Sequence, residues 1–412
     1  MGGTIRFHPF RAWRPAPELA ERVVAPPYDV VTRAEAAALA AGNPFSFLHV
    51  GRSDIDLPEG TDPYDPRVYA RAKQNLDRFC ADGDLVREAE PTFYVYQLAT
   101  EQHAQAGVVG CVHIDDYARN LIRKHEKTRP DKEDDRTRHV LAANAHAEPV
   151  ILTHAEQPFI TQMTRRVMAG APLYDLVRPD GVRHRVWRVS DPGAYADAFR
   201  RVQVAYVADG HHRCASALRA GMERRAANPR HTGDEEYNWF LAVLFPAGQL
   251  RILAYNRVVS SLNGRTPAEF LVALAGVGTV TKTEVAAPDR PGSFGVFLGG
   301  GWYRLALDPA SVPPDDPVAG LDASLLQDRV LGPLLDIGDA RTDPRIDFVG
   351  GGRGVEELER RVAGGQATVA FALHPVTVEQ LMAIADAGAV MPPKSTWFEP
   401  KLLSGLFVHT LD

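Results

Sequence analysis

The spacing of apolar positions changes several times along the chain, and each change marks an element. Across residues 64–81, Tyr69, Leu76 and Phe79 share one helical face, and Asp82-Gly83 stops the run. A short helix over 33–41 ends at Gly42-Asn43-Pro44. Residues 92–99 and 107–114 are rich in Val, Tyr and Phe around a polar turn, which predicts a hairpin. A charged stretch over 123–139 runs into a helix ending near Asn144, and 150–153 is a short strand. Residues 182–189 alternate polar and apolar as a half-buried strand does, 202–208 is an apolar strand, and 211–221 is a helix. Residues 238–245 and 251–255 are expected to form a second hairpin.

Beyond Asn263 the texture shifts. Helices are predicted over 266–275, 355–362 and 378–387, and strands over 279–285, 294–307, 346–349 and 367–373. This divides the chain into an N-terminal unit, 1–262, and a smaller α/β or α+β unit, 263–412.

With 412 residues the chain is too long for one ordinary core. Its 45% hydrophobic and 24% charged residues are those of a globular protein. A net charge of −6 argues against nucleic-acid coating. Cys80, Cys111 and Cys214 are scattered, with no CxxC spacing, which fits a reducing compartment. No apolar run approaches the ~20 residues that span a bilayer, and the first residues lack a signal-peptide pattern. Gly2 is a poor match to an acylation motif. The expectation is a cytoplasmic enzyme with a small-molecule substrate and no nucleic-acid or membrane partner; a homodimer is compatible with the sequence.

The most informative segment is Asp209-Gly210-His211-His212-Arg213, where a buried-type strand meets a helix. A helix N-terminus carries partial positive charge and free N–H groups, so an Arg and two His there are locally unfavourable. An anion held in the turn resolves this, and phosphate suits backbone amides with an Arg fork, Gly210 allowing close approach. Two other readings stand beside it: ordinary surface or core histidines, and a metal held by Asp209, His211 and His212.

Residues 123–139 hold seven Lys or Arg and five Asp or Glu, which as a self-paired solvated face would need no site. Against that, Glu126 stands among Lys124, Lys127, Arg129 and Lys132, and a carboxylate among cations is held ionised and suits a general base or metal ligand beside a polyphosphate. Both readings remain open at this point. The Gly350–Gly354 run lacks the Lys-Ser/Thr of a phosphate loop and reads as a turn, Cys214 reads as packed, and 392–398 reads equally as a flap over a site or a packed tail.

Ala25-Pro26-Pro27-Tyr28-Asp29-Val30, Asn43 to Val50, Lys124 to Thr128, Asp135 to His139, the Asp209 pentad, Tyr255-Asn256-Arg257 and Met391 to Thr396 together resemble a widespread bacterial family labelled as a domain of unknown function, DUF1015. The pentad is also similar to the signature of free-serine kinases with the ParB/sulfiredoxin fold. That resemblance implies an α+β architecture with a ParB/sulfiredoxin-like mixed sheet in the N-terminal unit. It further implies ATP or ADP with Mg2+, and transfer of phosphate to free L-serine. Gly210, His211 and Arg213 would then cradle phosphates, with Lys124, Lys127, Arg129 and Lys132 as added cations. Asp209 would be a magnesium ligand or second base, and His212 a transition-state stabiliser. Tyr28, Asp29 and Asn256, which lie in the shared runs, would contact the acceptor. Glu126 is assigned as base from its cationic setting alone. His211 stands where sulfiredoxins carry a nucleophilic Cys, so sulfinic-acid reduction is not expected. The competing classes are a non-catalytic nucleotide or phosphoserine sensor and a nucleotide phosphohydrolase.

Overall fold

The computed structural model describes residues 3–313 and 316–412; Gly2 lies outside them. It resolves into two compact units, residues 1–250 with 400–412, and residues 251–399. The boundary therefore falls before Asn263, and the final segment returns to the first unit. The reason is local. Tyr255–Val259 is an inner strand of the second sheet, so the chain has changed units before it forms. For the same reason the predicted hairpin of 238–245 with 251–255 does not form. Trp239–Pro246 pairs with Ala104–His113 and Val150–His154, whereas Ile252–Leu253 pairs with Trp397–Phe398.

The first unit is built on a nine-stranded mixed sheet. Its order is Ile122–Arg123, Ala205–Asp209, Val150–His154, Trp239–Pro246, Ala104–His113, Tyr94–Ala99, Arg183–Arg188 and Tyr174–Val177, with Phe7–His8 also on Ala104–His113. Two pairs are parallel: Ile122–Arg123 with Ala205–Asp209, and Val150–His154 with Trp239–Pro246. The predicted 92–114 hairpin is present. Its second strand lies mid-sheet and is buried almost throughout, and Gly110 is there because Phe7 and Phe93 occupy the space of its side chain: a Cβ would sit 2.7 Å from both rings.

Three helices of the first unit pack in succession. Pro66–Ala81 starts with Pro at the first turn and an Asp65 cap accepting from the Arg67 N–H. Pro130–Ala143 also opens on Pro and ends at Asn144 in the left-handed region. His211–Ala227 packs on it, and Gly221 permits the approach of Ile114 and the Tyr237 carbonyl. The returning tail pairs His409–Thr410 with Ala145–His146 and bridges Trp13 to Val408 and Ala25 to Ser404.

The second unit is α+β. Its six strands are antiparallel in the order Thr279–Thr283, Gly301–Ala306, Ser293–Leu298, Val369–Ala372, Tyr255–Val259 and Ile346–Gly350. The single strand expected over 294–307 is two strands, because Gly299 and Gly300 take φ of 59° and 80° and turn the chain. Pro267–Ala275 carries a capping box of Thr266 and Glu269. Among the described residues, no helix is long and apolar enough to cross a membrane.

Candidate functional site

Ala205–Asp209 is buried until its last residue, where the register against Val150–His154 shifts between Val207 and Asp209. Gly210 follows with φ 98° and ψ 34°, a conformation that costs an L side chain roughly 1–2 kcal/mol. A Cβ at this position would lie 3.0 Å from Arg213 Nε and from Val150 Cγ1, so the glycine also makes room for Arg213 to fold back over it. The helix His211–Ala227 then begins without any side-chain cap, which leaves backbone donors in its first turn.

The parallel register Ala205↔Ile122 and Tyr206↔Arg123 sends both chains out of the sheet at the same end. Residues 124–129 therefore run beside the pentad. Their contact is direct: the Arg129 backbone N–H donates to His212 Nε2 at 3.0 Å, and the His125 and His211 rings meet edge to face at 4.4 Å between centroids. Ligating atoms of His125, Glu126 and His211 all lie within 4.8 Å of one another.

Both imidazoles are buried, at 1% exposure for His125 and 6% for His211. Neither nitrogen of His125, nor Nε2 of His211, has a hydrogen-bond partner. Each buried polar group left so costs roughly 1–3 kcal/mol, and an edge-to-face ring contact is a weak substitute. Burial pushes the His125 pKa down to about 4, opposed by the nearby Val207 carbonyl, which does not reach hydrogen-bond geometry, and by Asp209. His211 is driven well below the ordinary range by burial first and then by His125. Both rings are neutral at pH 7.

The cations of this segment divide. Lys124 is near enough to His211 to disfavour its charge and lies 4.4 Å over the Tyr117 ring. The Arg129 guanidinium pairs with Asp131 at 2.8 Å, and Lys132 donates to the Tyr64 hydroxyl at 2.9 Å, all on exposed surface. Lys127 is exposed. The solvated-face reading thus describes the side chains of 127, 129 and 132, while His125 and Glu126 turn inward to the pentad.

On the other side of the turn, Arg213 donates to the Pro149 carbonyl and lies 3.4 Å from Asp209 and 3.9 Å from Asp29. It is an internal counter-ion rather than an open anion fork. This, with neutral His211, resolves the adverse charge of the first turn without an anion. Asp209 would be raised by burial, but Lys401 at 3.5 Å and Arg213 hold it at about 2. Glu148 accepts from the Ser404 hydroxyl at 2.8 Å and, more weakly, from the Tyr28 N–H at 3.4 Å. Burial raises its pKa, with Arg213 opposing and Asp29 adding. The Arg136 guanidinium covers the Tyr28 ring at 4.2 Å. Tyr28, Arg136, Glu148 and Arg213 line a small cavity of about 30 Å³, room enough for water.

The structure therefore gathers Tyr28, Asp29, His125, Glu126 and Asp209 to Arg213 around one strand-to-helix turn. Asn256 belongs to the second unit, where its side-chain oxygen accepts from the Leu373 N–H at 3.1 Å and joins two strands of that sheet. Sequence reasoning missed Glu148, Lys401 and Ser404. Each is an isolated residue whose local pattern carries no signal, and only strand pairing and the returning tail bring them to the turn.

Among curated proteins none matches the chain in sequence. Solved structures give weak likenesses: a conserved hypothetical protein from Pyrococcus furiosus (13% identity, TM-score 0.34, covering 72% of this chain and 94% of that one), a free serine kinase in complex with AMP (13%, 0.36, 72% and 91%), and C-terminally truncated SbnI from Staphylococcus aureus (12%, 0.39, 72% and 85%). At such scores they carry no conclusion about activity. The family model described as "Protein of unknown function (DUF1015)" matches residues 7–324, and the chain belongs to that family.

Proposed function

We propose that this protein is a cytoplasmic nucleotide-dependent kinase acting on a small hydroxyl metabolite, with free L-serine as the first acceptor to test, and that its first unit is ParB/sulfiredoxin-like. The observation that carries the reading is the parallel register of Ile122–Arg123 on Ala205–Asp209, which sets the Glu126 carboxylate beside the uncapped first turn of His211–Ala227. Phosphoryl transfer asks for positioning and charge neutralisation more than covalent chemistry. Backbone donors of the turn suit phosphate oxygens, and Lys124 adds a cation beside them. His212 accepts from the Arg129 N–H through Nε2, so a neutral ring carries its proton on Nδ1. Glu126 is the base for the acceptor hydroxyl. Asp209, held ionised, is the carboxylate that suits Mg2+ arriving with a nucleotide, an ion that needs few protein ligands.

The test is phosphoserine formation, followed by mass spectrometry, from ATP or ADP with Mg2+ and L-serine. Serine-dependent product that is lost in Glu126→Gln and Asp209→Asn supports the reading. Nucleotide binding without phosphoserine overturns serine as acceptor, and phosphate release independent of any hydroxyl metabolite overturns kinase activity.

A further inference from the structure

We infer that His125, Glu126 and His211 form a binding site for a divalent transition-metal ion of the imidazole-preferring class, Zn2+, Co2+ or Fe2+, distinct from any Mg2+ carried with a nucleotide. The argument begins with the unsatisfied nitrogens. His125 is 1% exposed, and both of its ring nitrogens lack hydrogen-bond partners. His211 is 6% exposed, and its Nε2 also lacks one. Buried imidazoles normally find a carbonyl, carboxylate or water. Two that leave three nitrogens unmet, side by side at 4.4 Å between ring centroids, are a pair with donor lone pairs still to be used.

The third ligand has the right chemistry and place. A carboxylate oxygen of Glu126 completes a set whose atoms lie within 4.8 Å of one another. Ligands about 2.0–2.2 Å from an ion stand roughly 3–3.5 Å apart, so side-chain adjustments of an ångström or two among the three residues close a set that already lies within 4.8 Å. Two histidines and one carboxylate are a recurrent set for zinc and non-haem iron, and three protein ligands leave open positions for water or a ligand oxygen. A Mg2+ ion, which takes oxygen ligands, is poorly served by two imidazoles.

The backbone explains why these residues converge. His125 and Glu126 follow the short parallel strand Ile122–Arg123, while His211 opens the helix after its neighbour Ala205–Asp209. Asp209, set aside from this ligand group, is already compensated by Lys401 and Arg213. With an ion in place Glu126 is a ligand and no longer the base, so the inference goes beyond the kinase reading and does not depend on it.

The experiment uses the full chain, stripped with a chelator and dialysed. Co2+ is titrated in and followed by visible absorption, with Zn2+ competition and elemental analysis of the washed protein. One equivalent of Co2+ displaced by Zn2+ but not by millimolar Mg2+ is expected. Glu126→Gln and His211→Gln should each weaken binding by about 100-fold or more, at least the scale set by losing a supporting partner. Circular dichroism checks that each variant is folded. Should the buried His211 variant fail to fold, the half-buried Glu126→Gln decides alone. No stoichiometric binding by the wild type, or equal binding by folded Glu126→Gln, overturns the site. Phosphoserine formation without such binding overturns this inference alone, and metal binding without phosphoserine overturns only the kinase reading.

Discussion

The Arg129 backbone N–H donates to Nε2 of His212 at 3.0 Å, joining residues that stand 83 positions apart. The bond ties the 124–129 segment to the first turn of His211–Ala227, and it requires Nε2 to be an acceptor. Replacing His212 by Ala removes the tie. The expected loss is about 1 kcal/mol of stability, the net worth of one hydrogen bond. Under the kinase reading, turnover should fall more steeply than stability, because Glu126 is carried on the segment released. Urea unfolding and nucleotide consumption on the same variant check this. A stability loss with unchanged turnover would separate His212 from the chemistry.

Gly210 gives a sharper backbone test. Its φ of 98° and the 3.0 Å approach of Arg213 Nε and Val150 Cγ1 both oppose a side chain. Gly210→Ala should cost roughly 1–3 kcal/mol and push Arg213 away from Asp209. Urea midpoints measure the first effect. Loss of the Arg213 contact should let the Asp209 pKa rise, readable by carboxyl NMR. An unchanged midpoint would mean the turn is not left-handed.

The pentad was legible because its signal is local: an apolar strand, a glycine and a helix in immediate succession. The companionship of His125 and His211 was not, because it depends on a two-residue parallel strand, too short to leave a pattern. Charge counting at Arg213 pointed to an anion, since the sequence shows the adverse cations but not Asp29, folded in from 184 residues away. Asn256, chosen because Tyr255-Asn256-Arg257 resembles the family, serves its own sheet. The domain boundary slipped because a continuous run of strands crosses it without a linker.

Acid should unfold this protein well above the range of ordinary carboxylates. Burial lowers His113, His125 and His139 to about 4, and His146 and His184 to about 3. A depressed histidine binds its proton in the unfolded chain before the folded one. Its contribution is therefore intact above the unfolded pKa near 6.5 and is lost as pH falls from there to the folded value. Each site can contribute up to about 1.4 kcal/mol per pH unit in that window. Stability by urea unfolding should drop steadily between about pH 6.5 and 4, and His139→Gln should flatten the slope. Asp209, held at about 2, adds a further loss only as pH falls below the ordinary 3.8. A flat profile to pH 4 would contradict the burial of these rings.

The tail 400–412 belongs to the first unit, and it should behave as core rather than as an appendage. Leu402, Leu403, Leu406, Phe407, Val408 and Leu411 are all buried. Exposing such side chains costs about 1.5–3 kcal/mol each, and whole domains are stable by only about 5–15 kcal/mol. Deleting 400–412 should therefore leave the first unit unfolded, with insoluble expression or loss of near-ultraviolet dichroism. Lys401→Met is the informative point change, since it keeps the stem and removes only the ammonium 3.5 Å from Asp209. It should fold, shift Asp209 upward and, under the kinase reading, alter nucleotide binding. A soluble, folded deletion would show instead that the tail's apolar side chains are dispensable to that core.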